Sequence, residues 1–189
     1  MTEATTTLTL LAVLGGAATP AFDGYVEDAK LIRAHHDVAT LVVSLVRLFN
    51  DVGAERGIAH GWATYDLLVG AGAAAGADGP GTREWMTPAG DASVGLLDDQ
   101  LVTNTADYTS PRQQRFFGWR GAYLQKPVGP DPWGHRYAVN VRAMTERNSD
   151  TFVPSAGADG LVKVLFQTDG LPPAGDDIVG LVSSTGVGR

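Results

Sequence analysis

Residues 8–22 read LTLLAVLGGAATPAF, an uncharged run that leads directly into a second helical pattern and decides the fold. As a helix these 15 residues span about 22 Å, which is short of the roughly 30 Å hydrocarbon core of a bilayer. The run is therefore a marginal membrane segment, or a helix that is buried against copies of itself. Pro20 predicts a kink or an interruption in any helix that passes through it. We predict a hydrophobic N-terminal helical segment over residues 1–23.

An amphipathic helix is predicted to follow at about residues 25–52. The residues of its predicted apolar face recur at spacings of three, four or multiples near them: Val26, Ala29, Ile32, Val38, Val42, Leu45 and Phe49. Polar and charged side chains fill the other face, and Asn50, Asp51 and Gly53 provide the stop. An apolar helix that leads straight into an amphipathic one is an unusual design for a globular enzyme.

The remainder of the chain is expected to form a globular domain over residues 24–189. Residues 54–115 are expected to be a variable, loop-rich insertion within it. The sequence of this insertion is compatible with short helices at 62–69 and 94–102, separated by a glycine-rich loop at 70–81.

Short strand-like runs follow the insertion and are separated by turn residues. They lie at 137–141, 151–153, 162–166 and 178–182. Such short runs favour a small antiparallel sheet, and the natural place for its apolar side is against the amphipathic helix. The predicted fold class is therefore α+β.

Charge and cysteine content exclude several kinds of function. The formal net charge is −7, and the 14 Lys and Arg residues are scattered, whereas a nucleic-acid partner needs a basic stripe. The chain has no cysteine, which excludes disulfides, thiolate zinc sites and a cysteine nucleophile. An acidic surface suits an exported protein or a site for a hard cation.

The C-terminal part carries a series of motifs in a fixed order. They are WRGAYLQK at 119–126, DPWG at 131–134, Tyr137, SAGADG at 155–160 and GDDI at 175–178. Together with LAVLGGAATPAFDGYVEDAK at 11–30, the series resembles the major pseudopilin (the G-type subunit) of bacterial type II secretion, a type IV pilin-like family. The resemblance covers 25–50 and 117–182, whereas 54–115 is longer than in the usual family member. It implies a pilin-like fold, in which a long N-terminal helix with an apolar half, a proline kink and an amphipathic half packs on a small antiparallel C-terminal sheet.

The resemblance also implies a structural calcium ion that holds the C-terminal loop to the sheet. Transferred to this sequence, the side-chain ligands would be Asp159, Asp176 and Asp177, and the backbone carbonyls of Ser155 and Ala156 would complete the shell. Calcium takes six to eight oxygen ligands, which carboxylates and loop carbonyls supply. The alternative is that these aspartates only form Asx-turns in a surface loop.

The function that the resemblance implies is structural, and we expect no enzymatic activity. The expected partners are other copies of the chain in a helical homopolymer, minor pseudopilins and inner-membrane secretion and assembly proteins. The N-terminal helix would contact the membrane before assembly, and the filament would extend from the inner membrane into the periplasm. No nucleic-acid partner is expected.

Two alternatives remain open at this point. One is a pilin of a surface filament for adhesion or motility, which would lie outside the cell. The other is a periplasmic binding or hydrolytic module that uses the acidic loop at 155–178, although no G-x-S-x-G, HExxH or Walker motif occurs. His35, His36 and Asp37 suggest a metal or proton relay, but adjacent helical residues point in different directions, so a solvated helix face is the simpler interpretation.

Overall fold

The computed structural model describes residues 2–53, 64–86, 93–109, 117–146, 149–168 and 175–183, with 2–21 described as helical backbone. The described elements are helices α1 (Thr2–Val52), α2 (Leu97–Leu101) and α3 (Arg142–Glu146), and strands β1 (Leu67–Val69), β2 (Gly76–Ala77), β3 (Val94–Leu96), β4 (Ala138–Val139), β5 (Thr151–Ser155), β6 (Leu161–Val162) and β7 (Ile178–Ser183). A 3-10 turn spans Arg83–Trp85. An N-terminal helix with small sheets confirms the α+β class.

Helix α1 is 51 residues long and runs through Pro20 without interruption. It ends where the sequence predicts. Gly53 has φ +78° and its N–H donates to the Phe49 carbonyl at 2.9 Å. Glycine reaches this left-handed conformation without a steric penalty, so it terminates the helix. Within the described residues, no helix combines the length and the apolarity that a bilayer crossing requires.

Among the side chains that the structure describes, the buried face of α1 begins at Ala34. Its buried apolar residues are Ala34, Val38, Leu41, Leu45, Leu48, Phe49 and Val52. The prediction is right for Val38, Leu45 and Phe49, but wrong for Val26, Ala29 and Ile32, which are exposed. The exposed and the buried residues of this list lie on two different sides of the helix. Each set has helical spacing by itself, so the sequence pattern did not separate them.

Strands β5 and β7 form an antiparallel pair that lies against α1. Gly180 of β7 makes the close approach possible, because a Cβ atom there would lie 2.5 Å from Val42 Cγ2 and 2.7 Å from Val38 Cγ1. Val153 and Ile178 are buried together with the helix in the larger hydrophobic core. An antiparallel pair packed on the helix is therefore present, but it contains only two of the four predicted C-terminal strands.

The other strands differ from the prediction. β1 is the central strand of a three-stranded sheet, parallel to β3 and antiparallel to β4, so residues 67–69 are a strand and not part of a helix. Residues 94–102 divide into β3 and α2. The loop at 70–81 contains β2, which pairs in parallel with β6. All three residues of β1 are buried, and a short, wholly apolar run does not distinguish a strand from a helix by its period.

Only the start of the predicted strand 162–166 is a strand, although Val164 and Phe166 are buried. Side chains hold this segment in place of a strand ladder. The Trp85 indole N–H donates to the Val164 carbonyl at 2.8 Å. The fully buried Asn140 side chain donates to the carbonyls of Phe166 at 2.6 Å and Asp150 at 3.0 Å. A run of apolar residues in the sequence does not indicate such hydrogen bonds from side chains to the backbone.

The described parts of residues 54–115 contribute to both hydrophobic clusters of the domain. Leu68 and Leu97 lie in the larger cluster with α1, and Leu67 lies in the smaller one with Phe152. All four side chains are fully buried. Residues 54–63, 87–92 and 110–116 lie outside the described residues, and so does the part of the loop-rich prediction that concerns them.

Candidate cation site and the exposed face of helix α1

The strand register brings the two predicted acidic segments together. Ser155, the last residue of β5, lies opposite Ile178, the first residue of β7. Because the strands are antiparallel, the turn that follows β5 and the turn that precedes β7 meet at one end of the pair. Gly157 faces the second turn so closely that a Cβ atom there would lie 2.5 Å from the Asp176 carbonyl oxygen.

Asp159 and Asp176 share one positive charge. The Lys163 ammonium lies 2.6 Å from Asp159 Oδ2 and also forms an ion pair with Asp176 Oδ1. The backbone N–H of Asp159 donates to Asp176 Oδ2 at 3.3 Å. These hydrogen bonds raise the pKa of Lys163 above its ordinary range and lower the pKa of Asp176. The Lys163 ammonium thus links the turn that contains Asp159 to the turn that contains Asp176.

Asp177 has a different environment. Its Oδ2 accepts hydrogen bonds from the backbone N–H groups of Lys163 at 2.7 Å and Val164 at 3.0 Å. Its Oδ1 is buried and has no hydrogen-bond partner within the described part of the chain. Burial raises the pKa of this carboxyl to about 6. Asp177 therefore anchors the segment after β6 and leaves one carboxylate oxygen unsatisfied.

The two backbone ligands that the resemblance implies, Ser155 and Ala156, are buried. The Ser155 hydroxyl donates to Asp131 Oδ2 at 2.7 Å. Asp131 Oδ1 accepts from the backbone N–H groups of Trp133 at 3.0 Å and His135 at 2.8 Å. Asp131 therefore ties the DPWG turn to the end of β5.

These observations decide how well the predicted donors fit a metal ion. Among the described residues, no group of three or more Asp, Glu, His or Cys side chains is placed to hold one. Two of the predicted carboxylates, Asp159 and Asp176, nevertheless converge on a cation, and Asp177 has an unsatisfied oxygen nearby in sequence. Two of the five implied donors therefore converge on a cation between the two turns, and that cation is the Lys163 ammonium.

Lys163 and Asp131 are the residues of the candidate site that sequence reasoning missed. Lys163 lies four residues after Asp159, a spacing that can indicate an ion pair, but its place in an apolar run favoured a strand. Asp131 was assigned only to a turn. Its contact with Ser155 spans 24 positions, and no local pattern encodes such a distance.

The exposed side of α1 is the second candidate surface. Phe22, Tyr25 and Ile32 are 66%, 73% and 70% exposed. His35 and His36 are exposed too, as expected for a solvated helix face. Asp37 bonds within the molecule, since it accepts the Tyr137 hydroxyl at 3.3 Å and pairs with Arg33 at 3.4 Å.

A groove of about 450 Å³ lies between α1 and the segment 124–130. Charged side chains at its wall include Arg33, Asp37 and Lys126. Among the described residues that line it there is no serine, cysteine or histidine, so these side chains include no serine or cysteine nucleophile paired with a histidine base.

Comparison with known proteins gives no family model, curated protein or solved structure that matches the chain. The pseudopilin resemblance accordingly stays a prediction from the sequence motifs. The functional reasoning below starts from the helix and from the two joined turns.

Proposed function

We propose that the chain is the structural subunit of a pilin-like filament, most closely of the major pseudopilin kind, and not an enzyme. One observation carries the proposal. Helix α1 has 51 residues and is about 76 Å long, and none of the described side chains at 22 and 24–33 is buried. A helix gains most of its stability from packing, so the part before Ala34 needs a partner from outside this domain.

Other copies of the chain are the proposed partners of that part. Residues 8–22 carry no charge, and burial of their apolar area among neighbouring helices would stabilise a polymer by up to about 25 cal/mol per Å². Heterologous contacts that do not close generate a filament. The proposed setting is the inner membrane and periplasm, with minor pseudopilins and inner-membrane assembly proteins as further partners and with membrane contact through residues 1–23 before assembly.

Electron microscopy of the purified full chain tests the filament. We expect helical fibres from the intact chain and none from a variant that lacks residues 2–21. Leu11→Asp, which places one charge in the apolar run, should have the same effect without shortening the chain. Activity of the truncated protein as a monomer, equal to that of the intact chain, would contradict the proposal.

Cell imaging separates the secretion filament from the surface pilus. Loss of exported proteins on deletion of the gene supports a periplasmic secretion filament. Long external fibres that contain this chain, with export unchanged, support a surface filament instead.

We further propose that a cation staples the two turns, with calcium able to replace the Lys163 ammonium between Asp159 and Asp176. The convergence of these two carboxylates on one charge supports this. Asp177 and the carbonyls of Ser155 and Ala156 would contribute the remaining oxygens. A calcium-bound loop would replace a disulfide, which this chain cannot form because it has no cysteine.

Thermal unfolding with calcium or with a chelator tests the staple. In chelator, Lys163→Met should lower the Tm because it leaves two like charges together. Calcium should raise the Tm of Lys163→Met more than that of the natural chain, since the competing ammonium is gone. Asp159→Ala should abolish the calcium effect, whereas the control Asp28→Ala, on the exposed helix, should keep it. No response to calcium in either the natural chain or Lys163→Met would exclude the metal.

A further inference from the structure

The groove between α1 and the segment 124–130 has a cation on each wall. Arg33 belongs to α1 and Lys126 to the segment, and both residues are exposed. The lining residues that are buried, Leu41, Val128 and Tyr137, form its floor. Because the whole chain carries a net charge of −7, a groove with two cations is a local site for negative charge.

The two cations are available to a ligand. Lys126 has no ion-pair or hydrogen-bond partner among the described residues. Arg33 contacts Asp37 Oδ2 through its Nε at 3.4 Å, which leaves the N–H donors of its terminal nitrogens free to bind a carboxylate. Asp37 is the one negative side chain among the described lining residues, so the groove keeps a positive balance.

The segment that forms the second wall is held in place from behind. The Val128 N–H donates to Asp98 Oδ1 at 2.7 Å, and the Val128 carbonyl accepts from the Ala71 N–H at 3.0 Å. A Cβ atom at Gly70 would lie 2.8 Å from Val128 Cγ1, whereas one at Gly129 would meet nothing within 4 Å. The wall is therefore fixed while space beside it stays open, and a ligand would bind without the cost of ordering it.

We propose that this groove binds an extended segment of another protein that contains two neighbouring acidic residues. The part of α1 that lines it, from Arg33 to Leu41, is about 12 Å long, the length of about three to four extended residues. Successive side chains of an extended chain point to opposite sides. Neighbouring carboxylates can therefore reach Arg33 on one wall and Lys126 on the other. This goes beyond the proposed function, which assigns no partner to the groove.

The shape of the groove favours a chain over a small molecule. Sites for small molecules enclose most of the ligand surface, whereas five lining residues here are exposed: Arg33, Lys126, Pro127, Gly129 and Pro130. Pro127 and Pro130 have no backbone N–H, so the segment cannot donate to an added strand at these positions. Recognition of the bound chain therefore depends on the charged side chains of the two walls.

Fluorescence anisotropy with the full chain tests the groove. The probe is a peptide with the sequence Ala-Glu-Glu-Ala, dye-labelled at its N-terminus and amidated at its C-terminus. The matched Ala-Gln-Gln-Ala peptide has the same shape without the charges, and it should bind at least about tenfold more weakly at low salt. Added salt should reduce the difference, because it screens exposed charges. Equal affinity of the two peptides would overturn the proposal.

Single variants test the two walls. Arg33→Met and Lys126→Met should each weaken binding of the Glu-Glu peptide by about threefold to tenfold. Arg47→Met is the matched control, since Arg47 is an exposed cation of α1 that does not line the groove, and it should leave the affinity unchanged. An equal loss in all three variants would show attraction to the overall charge and would contradict a site.

A charge exchange tests the contact with Lys126. Lys126→Glu should lose the Glu-Glu peptide and should bind either Ala-Glu-Lys-Ala or Ala-Lys-Glu-Ala with about the natural affinity, because a lysine then meets the new carboxylate. The peptide that recovers binding also gives the direction of the bound segment. Recovery with neither peptide would contradict the assignment of neighbouring carboxylates to the two walls.

The other possible occupants give different outcomes. Displacement of the labelled peptide by glutarate, at the same concentration as by unlabelled peptide, would assign the groove to small anions and overturn the proposal. Self-association that is weakened more than about threefold by Lys126→Glu in sedimentation velocity would assign the groove to a second copy of the chain and overturn it too. Normal fibres without peptide binding would remove the groove site and leave the filament.

Discussion

The two parts of helix α1 whose side chains are described differ in what covers their apolar residues. From Ala34 to Val52 one face of the helix carries buried apolar side chains, which pack against β5, β7 and α2. Before Ala34, Phe22, Tyr25 and Ile32 are largely exposed. The same helical period runs through both parts, so periodicity identifies an apolar face without identifying its partner. The proposed filament would supply a partner for the first part from other copies of the chain.

The largest effect is expected from shortening one buried side chain. Leu45 is fully buried in the larger core, so Leu45→Ala should lower the free energy of unfolding by about 3 kcal/mol, because it removes buried methyl groups and leaves a cavity. Ile32→Ala should change it by less than about 0.5 kcal/mol, since Ile32 is exposed in the single chain. Urea unfolding at a protein concentration at which the chain is monomeric measures both.

The comparison between the two parts of α1 fails if Ile32→Ala costs as much as Leu45→Ala under these conditions. Such a result would mean that the domain covers both parts of the helix in solution.

A smaller effect is expected where β7 touches the packed part of α1. Gly180→Ala should cost about 2 kcal/mol, because its methyl group would lie too close to Val38 and Val42. Val42→Ala should remove part of that conflict. The double variant should therefore be more stable than the sum of the two single changes predicts. Simple additivity in thermal unfolding would contradict the close approach.

The predictable parts of the fold are those that the local sequence pattern determines without reference to a distant pairing partner. The end of α1 at Gly53 and the short strands at 151–155 and 178–183 follow from helix-stop and turn chemistry. Strand β1 was not predictable, because its partners Val94–Leu96 and Ala138–Val139 are distant in sequence. Pairing partners decide whether such a short apolar run becomes a strand.

The candidate site shows the same limit. The motifs identified Asp159 and Asp176, and the β5–β7 register brings them together. Lys163 was missed because its side chain faces these carboxylates while its neighbours Val162 and Val164 are buried. When the sequence neighbours of a residue are apolar but its own contacts are charged, the neighbours alone do not show that it belongs to a charged site.

The smallest predicted effect has the opposite sign and lies on the exposed part of the helix. Gly24 is helical and exposed, and a Cβ atom there would meet nothing within 4 Å. Gly24→Ala should therefore stabilise α1 by about 0.5–1 kcal/mol, because alanine loses less backbone entropy than glycine in a helix. Helix content by circular dichroism measures the gain, and a loss of helix content would show that another surface already covers this turn.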